Sequence, residues 1–329
     1  MMKLSLMHKL LETVDSEWRS PLAEKILANW GYDEGSVYYF RASANFIFIF
    51  KKEGKTYFLR FNDSGERDLS SVEAEINLVL QLGKDSLNVA QPVQSLNGKY
   101  VEIVETEIGT FYAVVFEALE GKHADIDEMT EEQIYLWGKS LGQLHNSSKN
   151  LDEKFHAARP SWREHLLNAK EIIPTNETAA HQELERILSW AEGLNISKDN
   201  FGLIHYDFEL DNLLLNNDVV GMLDFDDCSS YWYVADIVYA LRDVGDFSVN
   251  SPLIKTFLDG YQSETTIDSE ILNEASEFMK LHNLVTFGKL IRAIDIDDSG
   301  DYPEWLINLR NKLCTKIDAY RLSFEELKC

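Results

Sequence analysis

The chain has 329 residues, 45% of them hydrophobic, with six prolines and no Pro/Gly/Ser-rich stretch. That length and composition give room for two closely joined lobes with cores of their own and exclude long disorder. A formal net charge of −25 argues against DNA or RNA as a partner, because such surfaces present bases to phosphates.

In chain order, residues 1–120 read as a mixed α/β segment. Pro21–Trp30 has the pattern of a short helix. Val37–Phe40, Phe46–Phe50 and Thr56–Phe61 are β-rich runs, with Glu53-Gly54 as the turn between the last two. Ser70-Ser71 precedes a helix over Val72–Leu82, with Ile76, Val79 and Leu80 on one face. Two further strands, Tyr100–Thr106 and Thr110–Phe116, flank Gly109. Strands meeting one long helix imply an antiparallel sheet with a helix against it.

From Thr130 the pattern becomes helical. Thr130–His145 opens on a capping box with Gln133, and Ser161–Ile173, His181–Leu194, Pro252–Tyr261, Ile271–Ala293 and Pro303–Leu322 follow. One β-rich island interrupts them: Leu203–Tyr206, Asn212–Leu215, the turn Asn216-Asn217-Asp218, and Val219–Asp224. No run reaches the roughly 18 apolar residues of a spanning helix. The N-terminus lacks a signal-peptide core, so a cytoplasmic protein with no membrane partner is expected. Cys228, Cys314 and Cys329 show no metal-type spacing, and their odd number argues against a disulfide framework. The charge is uneven: residues 122–329 carry roughly 38 acids against 19 bases, residues 1–121 roughly 18 against 12. Two readings stay open, solubility and attraction of a cationic substrate.

The chemistry concentrates in the island. An apolar strand leads into His205-Tyr206-Asp207-Phe208-Glu209-Leu210-Asp211-Asn212, and after the hairpin comes Asp224-Phe225-Asp226-Asp227. Asp and Asn are ordinary turn residues, and each alone would mark a turn. Their order, spacing and intervening hairpin are more specific. Phosphoryl transfer needs one carboxylate to take or orient the acceptor proton, with an amide oxygen and a second carboxylate to hold magnesium on ATP phosphates.

The segment resembles the His-x-Asp-x-x-x-x-Asn and Asp-x-(Asp/Glu) motifs of the aminoglycoside phosphotransferase, choline kinase and type II homoserine kinase family. The resemblance implies an α+β, two-lobed protein-kinase-like fold: an N-lobe (1–119) of antiparallel sheet plus helix that binds nucleotide, and a mostly helical C-lobe (120–329) with a catalytic hairpin. It implies Asp207 as catalytic aspartate, His205 as the histidine that orders its loop, and Asn212 and Asp224 as ligands of Mg2+. Asp226 either joins the metal or hydrogen-bonds the loop. Tyr206 stands where the family often has Gly, which would alter the approach to Asp207.

By the same resemblance Arg60 takes the place of the lysine on ATP phosphate, with Lys55 as a rival at the turn, and Glu75 pairs with it from the following helix, ahead of Glu73. Arginine keeps the charge but differs in reach. There is no Gly-x-Gly-x-x-Gly, so Ser43-Ala44-Asn45 is expected to cover the phosphates, and the backbone from Glu117 to Leu119 to meet adenine at the hinge. His145 is assigned to packing, and Asp236 to structure or to the acceptor's surroundings. The acidic loop Asp295–Asp301 lacks the spacing of an EF-hand and reads as a solvated loop.

The implied activity is transfer of the ATP γ-phosphate to a hydroxyl of a small molecule, with a cationic acceptor as one option (aminoglycoside-, choline- or homoserine-like). A bacterial Ser/Thr protein kinase and a catalytically silent nucleotide-binding module are the alternatives.

Overall fold

The computed structural model describes residues 1–245, 247–297 and 300–326. Its N-terminal part carries helices α1 (Leu4–Leu11) and α2 (Pro21–Leu27), strands β1 (Tyr38–Ala42), β2 (Phe46–Lys52) and β3 (Lys55–Asp63), and helix α3 (Leu69–Lys84). Strands β4 (Pro92–Val93), β5 (Glu102–Thr106) and β6 (Gly109–Glu117) complete it. All pairings in this sheet are antiparallel: β1 with β2, β2 with β3, β3 with β6, while β4 and β5 share the other edge of β6.

The alternation of the strands sorts their side chains. Phe46, Phe48 and Phe50, with Leu59, Phe61, Phe111, Ala113 and Val115, turn to one face and pack under α1 and α2, against Leu10, Ile26, Leu27 and Trp30. With a period of two, Ile47, Phe58, Arg60 and Phe116 fall on the opposite face, which is a wall of the main cleft. Helix α3 covers part of that second face through Val72 and Ile76 against Val114.

The helical part contains α4 (Glu131–Ser148), α5 (Glu153–Ala157), α6 (Trp162–Ile172), α7 (Thr178–Glu192), the strands β7 (Phe201–Ile204), β8 (Leu213–Asn216), β9 (Val219–Met222) and β10 (Ser229–Trp232), and then α8 (Tyr233–Ala240). Helices α9 (Pro252–Gln262), α10 (Ser269–Leu272), α11 (Ala275–Ala293) and α12 (Glu304–Glu326) follow. The expected capping box is present, with Thr130 Oγ1 accepting from the Gln133 amide and the Gln133 side chain accepting from the Thr130 amide. No described helix is long and apolar enough to cross a membrane. Cys228 and Cys314 are free thiols, and Cys329 lies outside the described residues, as do Asp298 and Ser299 of the acidic loop.

Four features depart from the sequence reading. The N-terminal segment is a helix, α1, whose Leu4, Met7 and Leu10 are buried. Helix α3 starts at Leu69, earlier than the two serines suggested. The long helix expected over 271–293 is interrupted between Leu272 and Ala275. Strand β10, absent from the sequence reading, pairs with β7, Ile204 opposite Ser229, while β8 and β9 pair with each other. That pairing leads straight into α8, whose eight residues are all buried, so no polar stripe marks it as a helix.

Helices α4 and α9 touch through glycine. A Cβ on Gly138 would stand 1.9 Å from the Phe257 carbonyl oxygen, and one on Gly260 would stand 2.0 Å from that of Tyr135. Both obstacles are backbone and cannot swing aside. Gly138→Ala is therefore expected to lower stability by about 1–3 kcal/mol in denaturant unfolding. A loss below about 0.5 kcal/mol, the scatter of ordinary surface changes, would show that the helices are not in such close contact.

Candidate active site

Strand β7 delivers the chain into the loop 205–212, and α8 fixes that loop from behind. Asp236, fully buried near the start of α8, accepts the backbone amides of His205 (2.8 Å) and Tyr206 (2.9 Å) on its two carboxylate oxygens. The same carboxylate accepts from His145 Nε2 at 3.0 Å, and His145 Nδ1 meets the Tyr261 hydroxyl at 2.8 Å. Burial holds the His145 and His205 imidazoles below their ordinary pKa. Neutral His205 carries its proton on Nε2, which donates to the Leu223 carbonyl (2.9 Å) and ties the loop to the end of the hairpin.

Tyr206 has φ +75°, a conformation open to glycine and uncommon for a tyrosine. The sequence reading expected Tyr206 to alter the approach to Asp207; its ring lies instead in the core. It is 3% exposed and packs on Tyr231, Tyr239, His165 and His282. The contorted backbone turns Tyr206 into the core and leaves the next residue, Asp207, part-exposed.

Asp207 is held by two partners. Asn212 Nδ2 donates to its Oδ2 (3.1 Å) and to its main-chain oxygen (3.0 Å), so Asn212 keeps its amide oxygen free for a cation. Arg242, in a short turn after α8, places Nη2 2.8 Å from Asp207 Oδ1 and also on Glu209 Oε2. Burial and the nearby Asp207 raise the Glu209 carboxyl to about 7, against the pull of Arg242.

The second acidic group begins at Asp224, whose backbone is left-handed (φ +59°). Burial, then Asp226, raise its carboxyl to about 7, while Arg60 opposes the shift. Arg60 Nη1 lies 3.5 Å from Asp224 Oδ1 and Arg41 Nη2 3.9 Å from Oδ2. Arg60 and Glu75 form the paired fork expected of them, at 2.7 and 2.6 Å, buried and with the guanidinium over Phe116. The fork uses both terminal nitrogens, and Arg60 Nε, also buried, has no partner.

Asp226 faces elsewhere. Its Oδ2 accepts from Asn45 Nδ2 (3.0 Å) and from Arg67 Nη2 (2.5 Å), and its main-chain oxygen accepts from Arg67 and Arg159. Asn45 is itself buried and takes a second bond from Asn62. Asn45 therefore links the sheet to the hairpin end. Arg67 also reaches Asp227 (3.2 Å), whose other oxygen is bonded by Lys289 (2.7 Å).

Two cavities meet at this loop. The main cleft, about 460 Å³, is lined by Phe40, Arg41, Ile47, Phe58, Arg60 and Glu75 on the sheet side, and by Glu117, Ala118 and Leu119 at the crossover. Asn212 and Asp224 line its floor, whereas Ser43, Ala44 and Asn45 do not line it at all. The second cavity, about 480 Å³, is lined by Asp125, Glu209, Asp211 and Asp243 with apolar Ile126, Trp137 and Val244. His123 and Asp211 belong to both linings, so the loop carrying Asp207 partitions one space from the other. Sequence reasoning assigned no role to Arg41, Arg67, Arg242 or Glu209. Of these only Glu209 lay inside the recognised motif; the arginines carry no spacing signal because folding alone brings them in.

The family pattern described as the phosphotransferase enzyme family matches residues 41–271, a span holding both halves of the cleft. This chain belongs to that family. It is a kinase-type phosphotransferase with the family's mixed α+β fold. Amicoumacin kinase of Bacillus subtilis (strain 168) is 25% identical over 286 residues, covering 83% of this chain and 85% of the relative. Among solved structures, an amicoumacin kinase in complex with AMP-PNP, Ca2+ and Ami superposes with a TM-score of 0.79 at 22% identity, covering 97% of this chain and 96% of that one. A microcompartment-associated aminopropanol kinase gives 0.71 at 20% identity, with coverage of 92% and 96%.

Within this family member, the loop's dependence on Asp236 can be tested directly. Asp236→Ala strands two backbone amides and an imidazole N–H in the interior, and is expected to cost about 3–5 kcal/mol in denaturant unfolding. The His205 and Tyr206 amides should lose hydrogen-exchange protection with it. A cost near 1 kcal/mol with protection retained would mean that the loop is held by other contacts.

Proposed function

We propose that this phosphotransferase moves the γ-phosphate of ATP to a hydroxyl of a small, amine-bearing molecule. Residues 1–119 serve as the nucleotide lobe and 120–329 as the catalytic and acceptor lobe. The observation that carries the reading is the position of the Asp207 loop, between an apolar cleft with a buried arginine and a second cavity lined by four carboxylates.

The cleft's donor set suits a nucleotide. Phe58, Ile47 and Phe116 offer apolar walls to a base, beside the Ala118–Leu119 backbone at the crossover. Arg60 Nε is a buried donor without a partner, beside a wall that would otherwise leave it unsatisfied, and a phosphate oxygen fits it. Asn212 Oδ1 and the Asp224 carboxylate suit a divalent cation. Two protein oxygens are what magnesium asks for when water and phosphate fill its remaining positions. When bound, the cation neutralises charge on the phosphates.

The remaining work belongs to this chain. Asp207 accepts the acceptor's hydroxyl proton as the oxygen–phosphorus bond forms and ADP leaves. Asn212 fixes the carboxylate plane, and His205 keeps the loop against the hairpin end. Cationic groups are favoured next to Asp125, Glu209, Asp211 and Asp243 by simple charge. Aminopropanol, named for the second structural neighbour, carries both an amine and a hydroxyl and is in keeping with this reading.

The test is ADP formation with 1-amino-2-propanol, choline, homoserine and spectinomycin as acceptors, by wild type and Asp207→Asn. At least one amine should raise ADP release above the rate with water, and the variant should fall by about a hundredfold or more. Labelling of added protein with no response to any of these amines would instead favour a protein kinase. The raised Asp224 carboxyl gives a second outcome. Below about 7 it is protonated, and a proton must leave before the cation binds. Apparent Mg2+ affinity in the presence of ATP should therefore fall about tenfold between pH 8 and pH 6. A flat profile, or one unchanged in Asp224→Asn, would remove Asp224 from the metal.

A further inference from the structure

Phosphoryl transfer spreads negative charge at the point of attack, and the residue that takes the acceptor's proton must itself be an anion aimed at one oxygen. The arginines and lysines around the site are already committed. Arg60 is forked on Glu75, Arg67 spans Asp226 and Asp227, Lys289 is on Asp227, and Arg159 is spent on main-chain oxygens and Ser71. Among the described residues Arg242 is the cation bonded to Asp207.

The geometry of that contact is specific. Arg242 Nη1 donates to the Tyr239 carbonyl at 3.1 Å, which anchors the guanidinium to the end of α8. Its Nη2 is shared between Asp207 Oδ1 and Glu209 Oε2. Asn212 takes the other carboxylate oxygen of Asp207, so the two donors fix the carboxylate from opposite sides. Glu209 lies two residues beyond Asp207 and would repel it without the shared cation. Asp236 at the start of α8 holds the loop's backbone, and Arg242 just past its end holds the loop's reacting side chain.

We propose that Arg242 is a positioning residue of the transfer reaction, a guanidinium that orients the Asp207 carboxylate and passes its charge to Glu209 while Asp207 carries the acceptor's proton. In the step itself the acceptor O–H bond breaks, its oxygen joins the γ-phosphorus, the bond from that phosphorus to ADP breaks, and the proton goes to Asp207. Protonation removes the charge that held Arg242 on that side. Glu209 then keeps the guanidinium in place, and Asp207 recovers its partner when the proton leaves to water. This inference rests on Asp207 as the proton acceptor.

The experiment compares wild type, Arg242→Ala, Arg242→Lys and Asp207→Asn. The acceptor is whichever of 1-amino-2-propanol, choline, homoserine and spectinomycin turns over fastest, or water where none exceeds it. Arg242→Ala should lower kcat by about a hundredfold, the scale of a misplacement of about 1 Å at a reacting group, with the KM for ATP within about threefold of wild type. Guanidinium chloride, at concentrations that leave wild type unchanged, should restore part of the lost kcat in Arg242→Ala, and tetramethylammonium chloride should not. Arg242→Lys, which keeps the charge without the fork, should fall between the two. Loss of kcat with no guanidinium rescue and a matching fall in Tm would mean a structural role and overturn the proposal. So would an Arg242→Ala enzyme within about threefold of wild type. An active Asp207→Asn enzyme would instead overturn the reading of Asp207, so the two failures are distinguishable.

Discussion

The Asp236 carboxylate receives two consecutive backbone amides and one imidazole N–H in the interior of the helical part. Buried charge is costly unless every lone pair is used, and here the loop 205–212 supplies two of the donors and His145 the third. The loop cannot leave without exposing the carboxylate, and the carboxylate cannot be lost without freeing the loop. Tyr206 can hold its left-handed backbone only because its amide is pinned and its ring is packed. The backbone position of Asp207 follows from that pinned conformation, and Asn212 and Arg242 then fix its carboxylate.

A second set of charges joins the sheet to the helices. Arg67, from the loop before α3, grips Asp226 and Asp227; Asn45 from the β1–β2 turn reaches the same Asp226; and Glu66 pairs with Arg292 on α11 at 2.8 Å. Arg60 contributes from β3, at 3.5 Å from Asp224. These contacts pass through buried or half-buried carboxylates, where salt screens them less than on a surface. The short segment 224–227 is thus addressed by residues from nearly every neighbouring element.

Much of the fold was legible because its elements obey simple periods. Alternating phenylalanines in β2 and a capping box at Thr130 are local signals, and they need no tertiary knowledge. Helix α8 was not legible, since burial on every side, Asp236 included, erases the polar stripe that announces a helix. The same limit applied to the site. Asp207, Asn212 and Asp224 lie in one stretch with fixed spacing, and the cleft joins Asn212 and Asp224. Arg242, Arg67 and Arg41 come from separate elements, and nothing in their neighbours marks them. Asn45 was noticed for its turn, but its burial against Asp226 is a property of the closed fold. Tyr206 was noticed as a departure from glycine, yet only the packing reveals that its ring turns inward.

The bonds on Asp226 and Asp227 have a mechanical meaning. Arg67 holds this turn from the sheet side, while Arg159, in the loop between α5 and α6, and Lys289 on α11 hold it from the helical part. A rotation that widened the cleft would load the turn from both ends and shift Asp224, two residues away. The turn is tied on both sides, so the width of the cleft and the spacing of the Asn212 and Asp224 oxygens on its floor are coupled through one and the same displacement.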